Sequence, residues 1–294
     1  MRWLVILFSS WAIAPVLAQT SSDASRQLNV GKTADLENWA WRAQRGKAPT
    51  ESERVLGAVL DAVAKRDCAA AVQSLNAGLA KASPEVVTLA GAMYEEGICL
   101  KQNWDRAVSL YERAFNAGHV GAGARAAAGY ATPVGGRDAA ASLWWALRAK
   151  TALPAECAKL APLTEDADRF VAALKGWPAG QLQACVYSAA VMATIQGEAE
   201  SAGLAAAYGL QGKVTMIFAP VLGRIDIEEG LVAAAITVVL ADAAKLESDQ
   251  QAARVAFSAY LRQTADRALR RFDKPVGIPS TWRSEATYVY RNEG

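Results

Sequence analysis

Four cysteines, one histidine and two Glu-Glu pairs are the residues of this chain best placed to do chemistry. Cys68, Cys99, Cys157 and Cys185 offer either disulfide formation or metal binding. No Cys-x-x-Cys occurs, and the single histidine, His119, has no second ligand at metal-binding spacing, so the metal reading finds no ligand set. An even cysteine count suits two disulfides in an oxidising compartment, with three connectivities open to the sequence by itself. A nucleophile–histidine–acid triad would have to use His119, which follows Gly118 at a turn between helices and reads as structural. Glu95-Glu96 and Glu228-Glu229 are neighbours that point apart on a helix. Solvated charge is therefore expected of both pairs, not general acid–base work. Neither GxGxxG nor GxxxxGK[ST] is present, and Gly135-Gly136 before Arg137-Asp138 reads as a loop ahead of a helix cap. The sequence thus nominates no catalytic, cofactor-binding or metal residue, and the chain is read as not an enzyme.

The ends and the composition narrow the class further. Met1-Arg2-Trp3 opens an apolar stretch to about Leu17, broken by Ser9, Ser10 and Pro15, with Val16 and Ala18 ahead of a cut before Gln19. This reads as a signal peptide over residues 1–18, with a retained N-terminal anchor as the alternative, since a membrane span needs roughly 20 apolar residues. The longest later apolar run, Leu231 to Ala241, is about half a span, so no membrane span is expected after signal removal. The formal charge is +2, and removal of Arg2 leaves +1. That near balance argues against nucleic acid as a partner. The expected location is the periplasm or the exterior.

The elements that must position these residues begin after a polar tail and lead-in over 19–50. Val55, Val59, Leu60 and Val63 recur at helical spacing behind Thr50, and Asp67 can cap a second helix carrying Ala71, Val72, Leu75 and Leu79. Ser83-Pro84 starts a third helix and Gly97 ends it. Asp105 opens a fourth, closed by Gly118. Asp67, Asp105 and Asp138 align as caps of recurring second helices at intervals of 38 and 33 residues, each with Ala two positions on. One such hairpin cannot bury its apolar face alone, so hairpins must stack.

Leu89-Ala-Gly-Ala-Met-Tyr94-Glu-Glu-Gly97, then Asp105-Arg-Ala-Val-Ser-Leu-Tyr111-Glu-Arg-Ala114, Gly118-His119 and Gly129-Tyr130 resemble a Sel1-like repeat, a relative of the tetratricopeptide repeats. The likeness is good over 89–130 and weaker over 52–83 and 131–150. It implies a right-handed stack of two to four helix hairpins over 51–204, used for protein–protein contact. In an antiparallel pair of that kind the start of one helix neighbours the end of the next. The pairs Cys68–Cys99 and Cys157–Cys185 follow from that arrangement, each bridge contributing roughly 3 kcal/mol.

The last third changes character. Val214, Met216 and Phe218 alternate along a strand, Gly223 turns, and Arg224 to Ile227 read as a second strand. Residues 231–246 read as helical, with an extended Ile236 to Val239 as the alternative, Ser248-Asp249 starts a long helix through Phe272, and Thr281 to Tyr290 read as a final strand. Gly212-x-Val-Thr-Met-Ile-Phe218, the Gly223 turn, Ala268-Leu269 with Pro275 beyond, and the aromatic closing strand resemble a TonB C-terminal domain over 205–294. That resemblance implies a small α/β domain that binds partner peptides at a sheet edge.

The fold class expected is therefore α+β: an N-terminal α-solenoid of hairpins followed by that small domain. Its expected role is an interaction scaffold with no cofactor, whose partners are other envelope proteins. The possible partner surfaces are Trp144 and Trp145, adjacent and so pointing to different sides, and the basic residues Arg262, Arg270 and Arg271 of the last helix. Those arginines read first as a solvated face, with docking to an anionic envelope polymer such as peptidoglycan as the functional alternative. An envelope hydrolase is the remaining alternative.

Overall fold

The computed structural model describes residues 50–81, 83–199, 210–233 and 243–290. The expected signal peptide (1–18) and nearly all of the polar tail lie outside the described residues.

The fold is α+β, with ten helices and one three-stranded antiparallel sheet among the described residues. Thr50 and Glu53 form a reciprocal capping box that starts α1 (Glu51–Ala64). Asp67 caps α2 (Cys68–Leu79) by accepting from the Ala70 amide. Pro84 occupies the first turn of α3 (Pro84–Glu96), and Gly97 ends it in the left-handed region at φ 69°. Next come α4 (Trp104–Asn116), α5 (Val120–Tyr130) and α6 (Ala139–Arg148). These six pack as consecutive pairs, α1 on α2, α3 on α4 and α5 on α6.

One expected cap moves. Asn103, not Asp105, caps α4, its side-chain oxygen accepting from the Arg106 amide. Asp105 lies inside the first turn, where its charge still meets the positive end of the helix dipole. The caps of the second helices are therefore Asp67, Asn103 and Asp138, at intervals of 36 and 35 residues. Four positions after each cap stands a small, fully buried residue: Ala71, Ala107 and Ser142, all 0% exposed. Glycines let aromatic rings of α4 lie directly on neighbouring helices. A Cβ on Gly91 would sit 2.5 Å from the Tyr111 ring, and one on Gly123 would sit 2.6 Å from Phe115.

Beyond Thr151 the even spacing stops. A four-residue α7 (Ala155–Ala158) and a 3-10 turn (Ala161–Leu163) precede α8 (Ala167–Lys175). They lead to the 21-residue α9 (Ala179–Ala199), which lies along both α5 and α6. The Gln196 side chain ties α9 to the end of α6, donating to the Ala149 carbonyl and accepting from Thr151. The disulfides join Cys68 to Cys99 and Cys157 to Cys185.

The C-terminal elements are β1 (Leu210–Ala219), β2 (Arg224–Ala233), α10 (Ala243–Arg271) and β3 (Ser284–Tyr290), with sheet order β2-β1-β3. Val214, Met216 and Phe218 are buried on one face of β1, as alternation requires. The Phe218 ring packs on Tyr187 of α9, and Tyr290 packs on Phe257 of α10 while donating its hydroxyl to the Ala199 carbonyl. Leu231 to Ala233, expected to be helical, continue β2 because the hairpin ladder extends through Ala233 opposite Leu210. Residues 234–242 lie outside the described residues, and α10 begins five residues ahead of Ser248. Among the described residues no helix is long and apolar enough to cross a membrane.

Candidate functional site

Two carboxylates stand where helix electrostatics disfavours them. Glu95 lies near the C-terminal end of α3 and Glu198 near that of α9, where unpaired carbonyls give the helix a partial negative charge. Each is met by an arginine of α10. Arg271 donates to Glu95 at 2.6 Å, and Arg267 pairs with Glu198. The spacing explains why one helix serves both: Tyr260, Thr264, Arg267 and Arg271 fall four, three and four residues apart, one stripe along α10. Thr264 also donates to the Glu198 carboxylate, and the Tyr260 hydroxyl donates to its carbonyl.

Glu95 is only 4% exposed and accepts a second bond, 2.6 Å long, from the Tyr111 hydroxyl. It was expected to be solvated charge; instead it is a buried junction between α3, α4 and α10. Its neighbour Glu96 lies 4.0 Å from the same Arg271 guanidinium. Burial, and then the charge of Glu95, raise the Glu96 carboxyl above its ordinary value, against the pull of Arg271. Arg125 of α5 completes the cluster within electrostatic reach of Tyr111, Glu198 and Glu95. Burial, followed by the charge on Glu95, pushes the Tyr111 phenol well above its usual range, so it remains a hydrogen-bond donor. The cluster binds elements of this chain to each other. The Glu228-Glu229 pair lies on strand β2, not on a helix, and Glu229 accepts from Ser258 of α10.

His119 occupies the N-cap position of α5, with Nδ1 3.0 Å from Thr88 Oγ1. The Thr88 hydroxyl donates to the Pro84 carbonyl at 2.8 Å, so its proton is already directed away from the imidazole. That is the reverse of an activated nucleophile. Burial is the main cause that holds the His119 pKa below its usual value.

The expected partner surfaces divide. Trp145 is buried at 6%, while Trp144 is half-buried and donates from Nε1 to the Thr164 carbonyl. The Arg148 guanidinium covers the Trp144 ring 4.3 Å from its centroid. Arg262 and Arg270 are exposed, four residues behind and ahead of Asp266 on a second stripe of α10. Arg271 does not belong with them, because its partner is Glu95. Period-four spacing in α10 held the signal that separates these arginines: one stripe carries Tyr260 and Thr264, the other Asp266. The sheet adds a further surface, since β2 and β3 are its outer strands and each pairs only with β1 among the described residues.

Comparison with known proteins finds no family model, curated protein or solved structure that matches this chain.

Proposed function

We propose that this chain is an interaction scaffold of the bacterial periplasm, built on Sel1-like helix hairpins and ending in a TonB-like β-β-α-β unit. The observation that carries the reading is the recurrence of second-helix caps at 36 and 35 residues with fully buried small residues four positions on. Such spacing belongs to stacked hairpins, which serve as protein-binding surfaces. The two disulfides fit an oxidising compartment. The groups best suited to chemistry are committed to internal bonds, His119 to Thr88 and Glu95 to Tyr111 and Arg271. The outer strands β2 and β3 offer backbone donors and acceptors to an extended peptide.

A second reading, binding of an anionic envelope polymer, is favoured by one observation: Arg262 and Arg270 are exposed on α10. Parallel assays separate the two. The mature chain is used to capture proteins from envelope extract and is sedimented with purified cell-wall sacculi. The scaffold reading expects one specific protein retained in the capture, and no sedimentation sensitive to Arg262→Ala/Arg270→Ala. Charge-dependent sedimentation without a captured protein would transfer the assignment to the polymer reading.

A further inference from the structure

The two disulfides stand in opposite surroundings. Cys157 and Cys185 are both 0% exposed. Cys68, the first residue of α2, is exposed, and Cys99 is half-buried in the loop after α3. The backbone at this outer bridge is also held in the left-handed region, at Cys99 itself (φ 56°) and at Arg66 (φ 61°), two residues before Cys68. Non-glycine residues adopt that region only at a cost. No residue within two positions of Cys157 or Cys185 has a positive φ. Exposed or strained bridges are the ones that exchange with external thiols, whereas buried ones persist.

We propose that Cys68–Cys99 is a thiol-exchange site, opened by a dithiol oxidoreductase, while Cys157–Cys185 is permanent. The attacking thiolate bonds to Sγ of Cys68, the exposed partner. The bridge breaks, and Cys99 leaves as a thiolate that takes a proton from water. The second thiol of the reductant then attacks the reductant's own sulfur in the mixed disulfide and expels Cys68 as a thiolate. The reductant departs as a disulfide, and two electrons have passed to the bridge.

Opening would be felt beyond the bridge. Cys99 lies in the segment 97–103 that closes the end of α3, where Gln102 donates to the Glu95 carbonyl and the Asn103 amide donates to the Tyr94 carbonyl. The same segment supplies the Asn103 cap of α4. The redox state of Cys68–Cys99 therefore bears on Glu95, the residue that receives Arg271 from the C-terminal helix. Exchange at this bridge does not depend on what the chain binds.

The test uses the full chain in native buffer. Thiols released by a stepped dithiothreitol or thioredoxin-type reductant are trapped with N-ethylmaleimide and assigned to each cysteine by peptide mass spectrometry. The expected result is labelling of Cys68 and Cys99 at a rate roughly tenfold or more above that of Cys157 and Cys185, with far-UV circular dichroism unchanged. A reductant lacking its second thiol should remain attached at Cys68. Equal labelling of all four cysteines, earlier labelling of Cys157 and Cys185, or labelling only on unfolding would overturn the proposal. Attachment at Cys99 would overturn the stated direction of attack. The Cys68→Ser/Cys99→Ser variant, if it folds, should take up no label under the same mild conditions, and label at the wild-type rate would also refute it.

Discussion

Replacing Arg271 by Ala isolates the bond that ties the last helix, α10, to the end of α3. The loss leaves the Glu95 carboxylate, 4% exposed, with the Tyr111 hydroxyl as its side-chain donor and the Arg125 charge within electrostatic reach. Breaking a fully buried pair costs about 3–5 kcal/mol. Arg271 retains 29% of its side-chain surface and Glu95 retains Tyr111, so screening and the remaining bond reduce the expected cost to about 2 kcal/mol. In a chain of this size that corresponds to a fall in Tm of roughly 4–8 °C. The assay is denaturant unfolding of wild type, Arg271→Ala, Glu95→Ala and the double variant. A coupling of about 1.5 kcal/mol or more is expected between the two sites. Lys65→Ala is the control, because Lys65 and Asp61 pair at 70% and 33% side-chain exposure and should matter by less than about 0.5 kcal/mol. Additive effects of Arg271→Ala and Glu95→Ala, or a cost no larger than that of Lys65→Ala, would show that this pair does not tie α10 to α3.

Other expected outcomes follow from the same packing and charges. Glu96 has its folded pKa raised, so the folded chain holds the proton more tightly than the unfolded chain; stability should fall as pH rises above about 4.5, the ordinary value, and Glu96→Gln should flatten that slope in urea titrations at several pH values. His119 has its folded pKa lowered, so its contribution is present above 6.5 and lost on acidification; His119→Gln should narrow the gap in unfolding midpoint between pH 7.5 and pH 5. Gly91→Ala places a methyl group against the Tyr111 ring and should cost about 1–3 kcal/mol, read by thermal unfolding. Gly180→Ala, at an open position in the first turn of α9, should leave Tm unchanged or raise it.

Local rules made much of this fold legible in the sequence. Ser83-Pro84 and Gly97 bound α3 as their chemistry requires, and the alternation of Val214, Met216 and Phe218 gave the buried face of β1. The cap of α4 is not fixed by residue type, because Asn103 and Asp105 both suit a helix start and only side-chain geometry chooses Asn103. Residues 231–233 misled for a related reason: an apolar run fits helix or strand, and pairing with β1 decided it. The charge cluster was hidden more deeply. Glu95 and Arg271 are 176 residues apart, and each looks like ordinary surface charge until α10 is laid across the ends of α3 and α9. Its one local trace was the spacing of Tyr260, Thr264, Arg267 and Arg271.

Site-specific photo-crosslinking in cells reads out the proposed protein-binding surface. A photoreactive residue is placed at Thr287 or Val289 on the outer strand β3, and at exposed positions of α2 and α4. One discrete adduct of the same partner is expected from a contiguous subset of these positions, reproducible and lost when the probe is moved to Gly180. Adducts absent at every position, or spread evenly over unrelated proteins, would contradict it.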